Sequence, residues 1–272
     1  MRRNICPVLA TALLTTAVSM LGAQYLSANN LDSKPKLTSA SATRQTSDQG
    51  DTKCGTQAAI AALGRGTVFG RPPQGPKFVI SPHFIVHFDT AGRNRIARAY
   101  AESTSVYAEH AWAVQVDTLG WAPPPPDGSL GGDSTYDIYI RDTTFCGLTC
   151  PEDSFPHPYP DGCCSFIQID TGMSWDYLRG TVAHEFSHAS QFRYSWRDVG
   201  WWGENTSTWM EDVCYDLIDD YRQYLHKDTG ALKKPELPIT DTTGTYEYSG
   251  SDYALHHGIF IQGLPGLKPY RE

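Results

Sequence analysis

The spacing of apolar residues divides the chain, from about residue 78 onward, into short strands and longer helices. Residues 84–88, 136–141 and 165–170 are short apolar or alternating runs, a pattern that predicts β-strands. Residues 93–116 instead repeat apolar side chains at helical spacing, which predicts a helix. Another helix is predicted from about residue 204 to residue 226. Together these elements predict a folded domain over residues 78–272.

The segment 175–191 has the clearest two-sided pattern in the chain. Its apolar residues recur at helical spacing and form one stripe: Trp175, Leu178, Val182, Phe186 and Ala189. With about 100° between successive residues, the polar positions His184, His188 and Gln191 fall on roughly the opposite side. We therefore expect a helix whose apolar face enters the core and whose polar face lines a cleft.

The polar face contains the sequence His184-Glu185-Phe186-Ser187-His188. Two histidines four residues apart lie one above the other on a helix, so both imidazoles can bind one tetrahedral zinc ion. Glu185 follows the first histidine and can accept a proton from a zinc-bound water. The motif alone also fits a simpler interpretation, an amphipathic helix with two surface histidines. The neighbouring residues must therefore distinguish a metal site from a surface helix.

A third metal ligand is predicted on the helix that follows. A catalytic zinc ion takes three protein ligands and keeps one position open. Glu204 stands near the start of a predicted helix, far enough from His188 for the chain to turn back. Glu211 shares a helix face with Glu204, so it is either the alternative third ligand or a hydrogen-bond acceptor for a ligand histidine.

These residues resemble the gluzincin group of zinc metallopeptidases, in which a second helix carries Trp-x-x-Glu-Gly-x-Ala-x-(aromatic)-x-Glu. Here that frame is Trp201-x-x-Glu204 through Trp209 to Glu211, with Asn205 in place of Gly and Ser207 in place of Ala. The helix also looks like the His-Glu-Phe-x-His-x-x-Gln sequence of secreted bacterial metalloproteases. The resemblance covers residues 181–212.

The resemblance implies an α+β, zincin-like fold, with a mixed or antiparallel sheet, an active-site helix and a mostly helical C-terminal part. It implies a zinc-dependent metalloendopeptidase that holds one Zn²⁺ per chain through His184, His188 and Glu204, with Glu185 as the catalytic base. Residues 166–170 would form the edge strand that pairs with a peptide substrate. The oxyanion would be stabilised by Tyr248, or by one of its neighbours Tyr253, His256 and His257. The Gly-x-Met-Glu-Asn motif of the aminopeptidase relatives is missing, which favours an endopeptidase.

Two other functions stay open. The chain could be a secreted, disulfide-bonded binding or structural protein on a zincin-like fold that has lost its chemistry, because fold alone does not establish function. The same activated water could also serve a hydrolase that acts on a non-peptide substrate. The intact Glu185 favours an enzyme, because a purely structural site has no need of it.

The composition indicates a folded, acidic protein. The chain has 272 residues, a formal net charge of −8 and 12% aromatic residues. The aromatic content argues against a disordered chain. The negative charge argues against a nucleic-acid partner, because phosphate backbones would be repelled.

The first residues resemble a secretory signal. Arg2 and Arg3 precede an apolar stretch at residues 7–22, which is too short for a membrane span. We predict a signal peptide over residues 1–23, a secreted protein and no membrane contact after its removal; a membrane anchor is the alternative. Residues 24–77 are predicted to be a flexible leader, pro-segment or linker, and no chemistry is predicted for residues 53–77.

Six cysteines follow the signal segment, and an even number in a secreted chain suggests disulfides. The predicted pairing joins Cys146 and Cys150, in a loop over residues 142–164, to Cys163 and Cys164. Cys54 would then pair with Cys214. A four-cysteine zinc site at residues 146, 150, 163 and 164 is the rival interpretation. Adjacent cysteines chelate a tetrahedral ion awkwardly, so disulfides are favoured.

Overall fold

The computed structural model describes residues 53–67, 69–152, 159, 161–197, 200–220 and 222. The predicted signal peptide lies outside these residues, as do Tyr248, Tyr253, His256 and His257. None of the helices in the described ranges combines the length and apolar character that a membrane span requires. Secretion and the oxyanion residue therefore stay predictions.

The described chain contains a mixed, open, five-stranded sheet. The strands are β1 (Lys77–Ile80), β2 (Phe84–Phe88), β3 (Tyr136–Arg141), β4 (Gly147–Pro151) and β5 (Ser165–Asp170). They lie in the order β1-β2-β3-β5-β4. The central pairs β2–β3 and β3–β5 are parallel, whereas β1 and β4 pair with their neighbours in the antiparallel sense. The two edges of the sheet are therefore β1 and β4.

Within the described ranges, four α-helices accompany the sheet: α1 (Thr56–Gly64), α2 (Arg98–Trp112), α3 (Trp175–Gln191) and α4 (Gly200–Cys214). A turn of π-helix, Ala113–Thr118, continues α2. The Ser174 side chain begins α3 by accepting a hydrogen bond from the Tyr177 backbone N–H at 3.4 Å. The structure is thus α+β, as the sequence predicts.

Alternation along the strands divides the core between the two faces of the sheet. Val86, Ile138, Ile140, Ile167 and Ile169 point to one face, where they pack against buried residues of α2 and α3. The opposite face carries a smaller cluster: Tyr139, Leu148, Cys150 and Phe166 pack with Ala59 of α1. The apolar stripe of α3 enters the larger core as predicted, and Leu178, Val182, Phe186 and Ala189 are fully buried.

Most predicted elements are confirmed, with shifted helix ends. The strands at 84–88, 136–141 and 165–170 have the predicted bounds. The helix predicted from residue 93 begins at Arg98, because the preceding turn is held to the end of β2 by a backbone hydrogen bond from Ile96 to Asp89. The helix predicted over 204–226 runs from Gly200 to Cys214.

The predicted edge strand is wrong. Residues 166–170 belong to β5, which pairs with β3 on one side and β4 on the other. Its backbone groups are therefore already bonded and cannot receive a peptide. The edge strand beyond β5 is β4, which lies in the segment 142–164 that the sequence predicts to be a loop.

The predicted disulfides are also wrong among the described residues. Cys146, Cys150, Cys163 and Cys214 carry free, buried thiols. Cys150 points its sulfur toward the Gln168 side-chain amide, at 3.6 Å, and Cys214 lies beside the Gln115 amide, at 3.9 Å. The four-cysteine zinc site is likewise not formed within the described ranges, where the candidate metal cluster is a different one.

Candidate metal centre

The two motif histidines meet on the buried side of α3. Their Nε2 atoms lie 3.1 Å apart, and each residue is only 1% exposed. The Glu204 carboxylate approaches them from α4: Oε2 is 3.3 Å from the His184 Nε2 atom, and Oε1 is 3.5 Å from the His188 Nε2 atom. The structure thus brings together the three residues predicted as ligands, although their face of α3 is covered rather than open.

The other ring nitrogen of each histidine is held by a neighbouring side chain. His184 Nδ1 lies 2.7 Å from a Glu211 oxygen, and His188 Nδ1 lies 2.9 Å from the Gln191 amide oxygen. These contacts fix the rings so that both Nε2 atoms face Glu204. Such outer partners are typical of metal-binding histidines, and Glu211 takes that outer position rather than a place in the cluster.

Ser207, which stands where the gluzincin frame has Ala, contacts the side chains that hold His188. Its hydroxyl lies 3.3 Å from His188 Nδ1 and accepts a hydrogen bond from the Gln191 amide at 3.4 Å. An alanine could make neither contact, so the serine adds to the support of the His188 ring. The other departure, Asn205, is 2% exposed, and nothing in the described structure explains its amide.

The cluster combines positive and negative groups at close range. Burial opposes protonation of His184, but hydrogen bonds with Glu204 and Glu211 outweigh it and raise its pKa to about 10. Burial likewise opposes ionisation of Glu204, but His188 and His184 hold its pKa well below the usual range. The two carboxylates thus favour a positive charge at this place, and a metal cation could supply it.

Glu185 is completely buried next to the cluster. Its Oε2 atom accepts hydrogen bonds from two hydroxyls, Thr56 at 3.0 Å and Thr149 at 2.8 Å. Its Oε1 atom has no hydrogen-bond partner among the described residues. A buried carboxylate with one unpartnered oxygen is costly, so this arrangement suits a group that handles a proton in the site.

Cys54 is the fourth member of the cluster, and the sequence did not suggest it. Its sulfur lies 3.6 Å from His188 Nε2. The donor atoms of Cys54, His184, His188 and Glu204 all lie within 4.8 Å of one another. Burial raises the pKa of the Cys54 thiol, and the charges of Glu185 and Glu204 raise it further. The donor set of two imidazoles, a carboxylate and a thiol fits a divalent metal ion such as zinc.

A largely apolar pocket opens beside His188. It encloses about 700 Å³, counting its open mouth. Its lining combines polar residues with six large apolar ones, Ile60, Trp121, Phe192, Tyr194, Trp196 and Trp202. The pocket could accept a large apolar side chain of a ligand close to the metal cluster.

The comparisons with known proteins assign no family to this chain. No family model matches it, and neither the search of curated proteins nor the search of solved structures found a match. Support for the gluzincin resemblance comes instead from the structure, in the cluster of possible metal ligands.

We expect Gly147→Ala to disturb the site, because strand β4 passes very close to α3 at this residue. A Cβ atom at Gly147 would lie 2.7 Å from both the Glu185 Cγ atom and the Thr181 Cγ2 atom. The overlap should reduce the free energy of unfolding by about 1–3 kcal/mol, measured by urea denaturation. Gly70→Ala is the matched control, because its Cβ would meet nothing within 4 Å. Equal stability of the two variants would contradict the close approach.

Proposed function

We propose that this protein is a secreted, zinc-dependent metalloendopeptidase on a zincin-like fold, with one Zn²⁺ per chain. His184, His188 and Glu204 would hold the metal, and Glu185 would act as the general base. The observation that carries the proposal is the buried Glu185 carboxylate beside the ligand cluster. One of its oxygens is held by two threonines, and the other has no hydrogen-bond partner in the part of the chain that the structure describes. A structural metal site gains nothing from such a group.

Each side chain has a defined part in the proposed reaction. Bound zinc would polarise a peptide carbonyl and lower the pKa of a water molecule. Glu185 would accept a proton from the attacking water at Oε1 and later donate it to the leaving amine. Thr149 on β4 holds Oε2, as does Thr56 in the described structure, so the carboxylate is already oriented with Oε1 left for the proton. Glu211 and Gln191 keep the two imidazoles in place.

The substrate would be a protein or peptide in extended conformation. Strand β4 offers a sheet edge next to α3, and an extended peptide can add to such an edge through backbone hydrogen bonds. The apolar pocket beside His188 would receive a large apolar side chain next to the cleaved bond. We therefore expect cleavage next to aromatic or large aliphatic residues.

One observation favours the alternative, a binding or structural protein on a fold without catalytic activity. Structural zinc sites take four protein ligands, and Cys54 supplies a fourth donor here. With the thiolate bound, no position would remain for water. An active enzyme must therefore release Cys54 from the cluster.

A peptide-library digest tests the proposal. Zinc-loaded protein should be compared as the wild-type chain and as Cys54→Ala, with cleavage products identified by mass spectrometry. We expect cleavage within peptides, beside aromatic or large aliphatic residues, in at least one of the two proteins. Absence of peptide cleavage by both zinc-loaded proteins would contradict the proposed function, and cleavage of ester substrates alone would indicate a non-peptide hydrolase.

A further inference from the structure

A short segment at the start of the described chain contacts nearly every part of the site. We call residues 53–57 the strap. Its side chains reach the site as follows: the Lys53 ammonium binds Glu211 at 2.7 Å, the Cys54 sulfur is 3.6 Å from His188, the Thr56 hydroxyl donates to Glu185 at 3.0 Å, and the Gln57 amide donates to Glu204 at 3.2 Å. Four of five consecutive residues thus engage the general base, two ligands and a partner of the third ligand.

The strap also lies along the free edge of the sheet. Gly55 donates a backbone hydrogen bond to the Gly147 carbonyl at 2.9 Å. The Lys53 carbonyl accepts from Cys146 at 3.0 Å and from Gly147 at 3.2 Å. Cys54 thereby pairs with Gly147 in the parallel sense, at the beginning of β4. This is the edge that an extended peptide would need in order to reach the cluster.

The fit between the strap and the site is close. Lys53, Cys54 and Thr56 are 3%, 5% and 0% exposed. At Gly55, a Cβ atom would lie 2.6 Å from the Phe145 ring, so glycine is needed for the strap to approach β4. A buried lysine is stable only with a charge partner, and Lys53 has two, Glu211 and Asp220. The strap is therefore a packed part of the described structure.

We propose that the strap is an autoinhibitory segment and that Cys54 is the fourth ligand of the metal, so that the chain as described is a latent form of the enzyme. The thiolate fills the coordination position that water needs, and this contact is what keeps the enzyme latent. The strap backbone bonds to Cys146 and Gly147, at the beginning of β4, and holds the thiolate there, so release of the thiolate is the step that opens the site. This inference rests on the proposed peptidase function.

The first part of the test asks whether the thiolate binds the metal, independently of activity. Cobalt(II) is loaded into the wild-type chain, Cys54→Ala, Cys54→Ser and the control Cys163→Ala, whose buried thiol lies outside the cluster. We expect a sulfur-to-cobalt charge-transfer absorption in the wild type and in Cys163→Ala, and its loss in both Cys54 variants. Cobalt bound by the wild type without this absorption would overturn the proposal.

The second part compares peptide turnover by the same four proteins loaded with zinc. We expect peptide turnover by Cys54→Ala and Cys54→Ser to exceed that of the wild type about tenfold or more. In these variants the form with an open coordination position is the main form, whereas in the wild type it is a minor one. Cys163→Ala should match the wild type. Near-ultraviolet circular dichroism checks that each variant is folded. If Cys54→Ala is not folded, Cys54→Ser decides the outcome, because serine has nearly the size of cysteine.

The outcomes separate the two proposals. Equal turnover by the wild type and the Cys54 variants would overturn latency and leave the peptidase function standing. The charge-transfer absorption without turnover in any variant would overturn the peptidase function, and latency with it. Faster turnover by Cys54→Ala than by the wild type, together with loss of the absorption, supports both.

Discussion

Glu185→Gln should leave zinc bound and reduce peptide turnover by about 10²- to 10⁴-fold, the range that general-base catalysis contributes. The substitution should be made in the Cys54→Ala chain, so that the thiol does not mask the activity. Gln has nearly the same shape as Glu, and its amide oxygen can still accept from Thr56 and Thr149. What it loses is the ability to take a proton from water.

The measurement combines metal content by elemental analysis with kcat and KM on a peptide found in the library digest. We expect about one zinc per chain in the variant, as in the parent, with the loss concentrated in kcat. Glu109→Gln is the matched control, because Glu109, on α2, is also a buried carboxylate. It pairs with His83 and lies outside the site. Turnover by Glu185→Gln at the rate of the parent would show that Glu185 is not the base.

The sequence predicts which residues meet at the centre of this candidate site because local geometry determines their placement. His184, Glu185 and His188 lie within little more than one turn of a helix whose apolar stripe orients it in the core. The same periodicity could not choose between Glu204 and Glu211, because seven residues are close to two helical turns and both point the same way. The packing of α4 against α3 makes the choice, placing Glu204 at the Nε2 atoms and Glu211 behind one ring.

The parts of the site that the sequence does not predict depend on contacts between distant segments. Strand β4 begins with Gly147 and ends with Pro151, residues that usually indicate a loop, and its pairing with β5 becomes evident only in the sheet. Cys54 meets His188 across a separation of 134 residues. An even number of cysteines in a chain predicted to be secreted suggests a disulfide for Cys54. The count cannot show that an imidazole lies beside the Cys54 sulfur in the folded chain.

The strap lies within residues 24–77, the segment that the sequence predicts to be a leader, pro-segment or linker. A pro-segment that inhibits a metallopeptidase must cover the metal, the base or the substrate edge. Residues 53–57 contact the proposed ligand His188, the proposed base Glu185 and the beginning of β4. Helix α1 follows the strap directly and packs Ala59 against the smaller core cluster. The turn after α1, with Arg65 and Gly66 exposed, is the nearest described place where a cut would separate the strap from the sheet.

Glu204→Gln should weaken zinc binding by more than about a hundredfold, whereas Glu211→Gln should weaken it by about 10- to 100-fold, the range typical of outer partners. Both substitutions belong in the Cys54→Ala chain, so that the thiolate cannot replace a missing carboxylate. Glu204 offers its oxygens to both imidazole Nε2 atoms, at 3.3 and 3.5 Å. An amide is a poorer zinc ligand than a carboxylate, so the metal should lose one of three ligands.

Glu211 instead holds the outer nitrogen of His184, at 2.7 Å, and is itself bound to Lys53. Its replacement leaves three ligands in place but loosens one ring, which explains the smaller expected loss. Competition with a chromophoric chelator measures both affinities on one scale, and circular dichroism checks that each variant is folded. A greater loss for Glu211→Gln than for Glu204→Gln would move the third ligand to Glu211, and the ligand set inferred from the cluster would then be wrong.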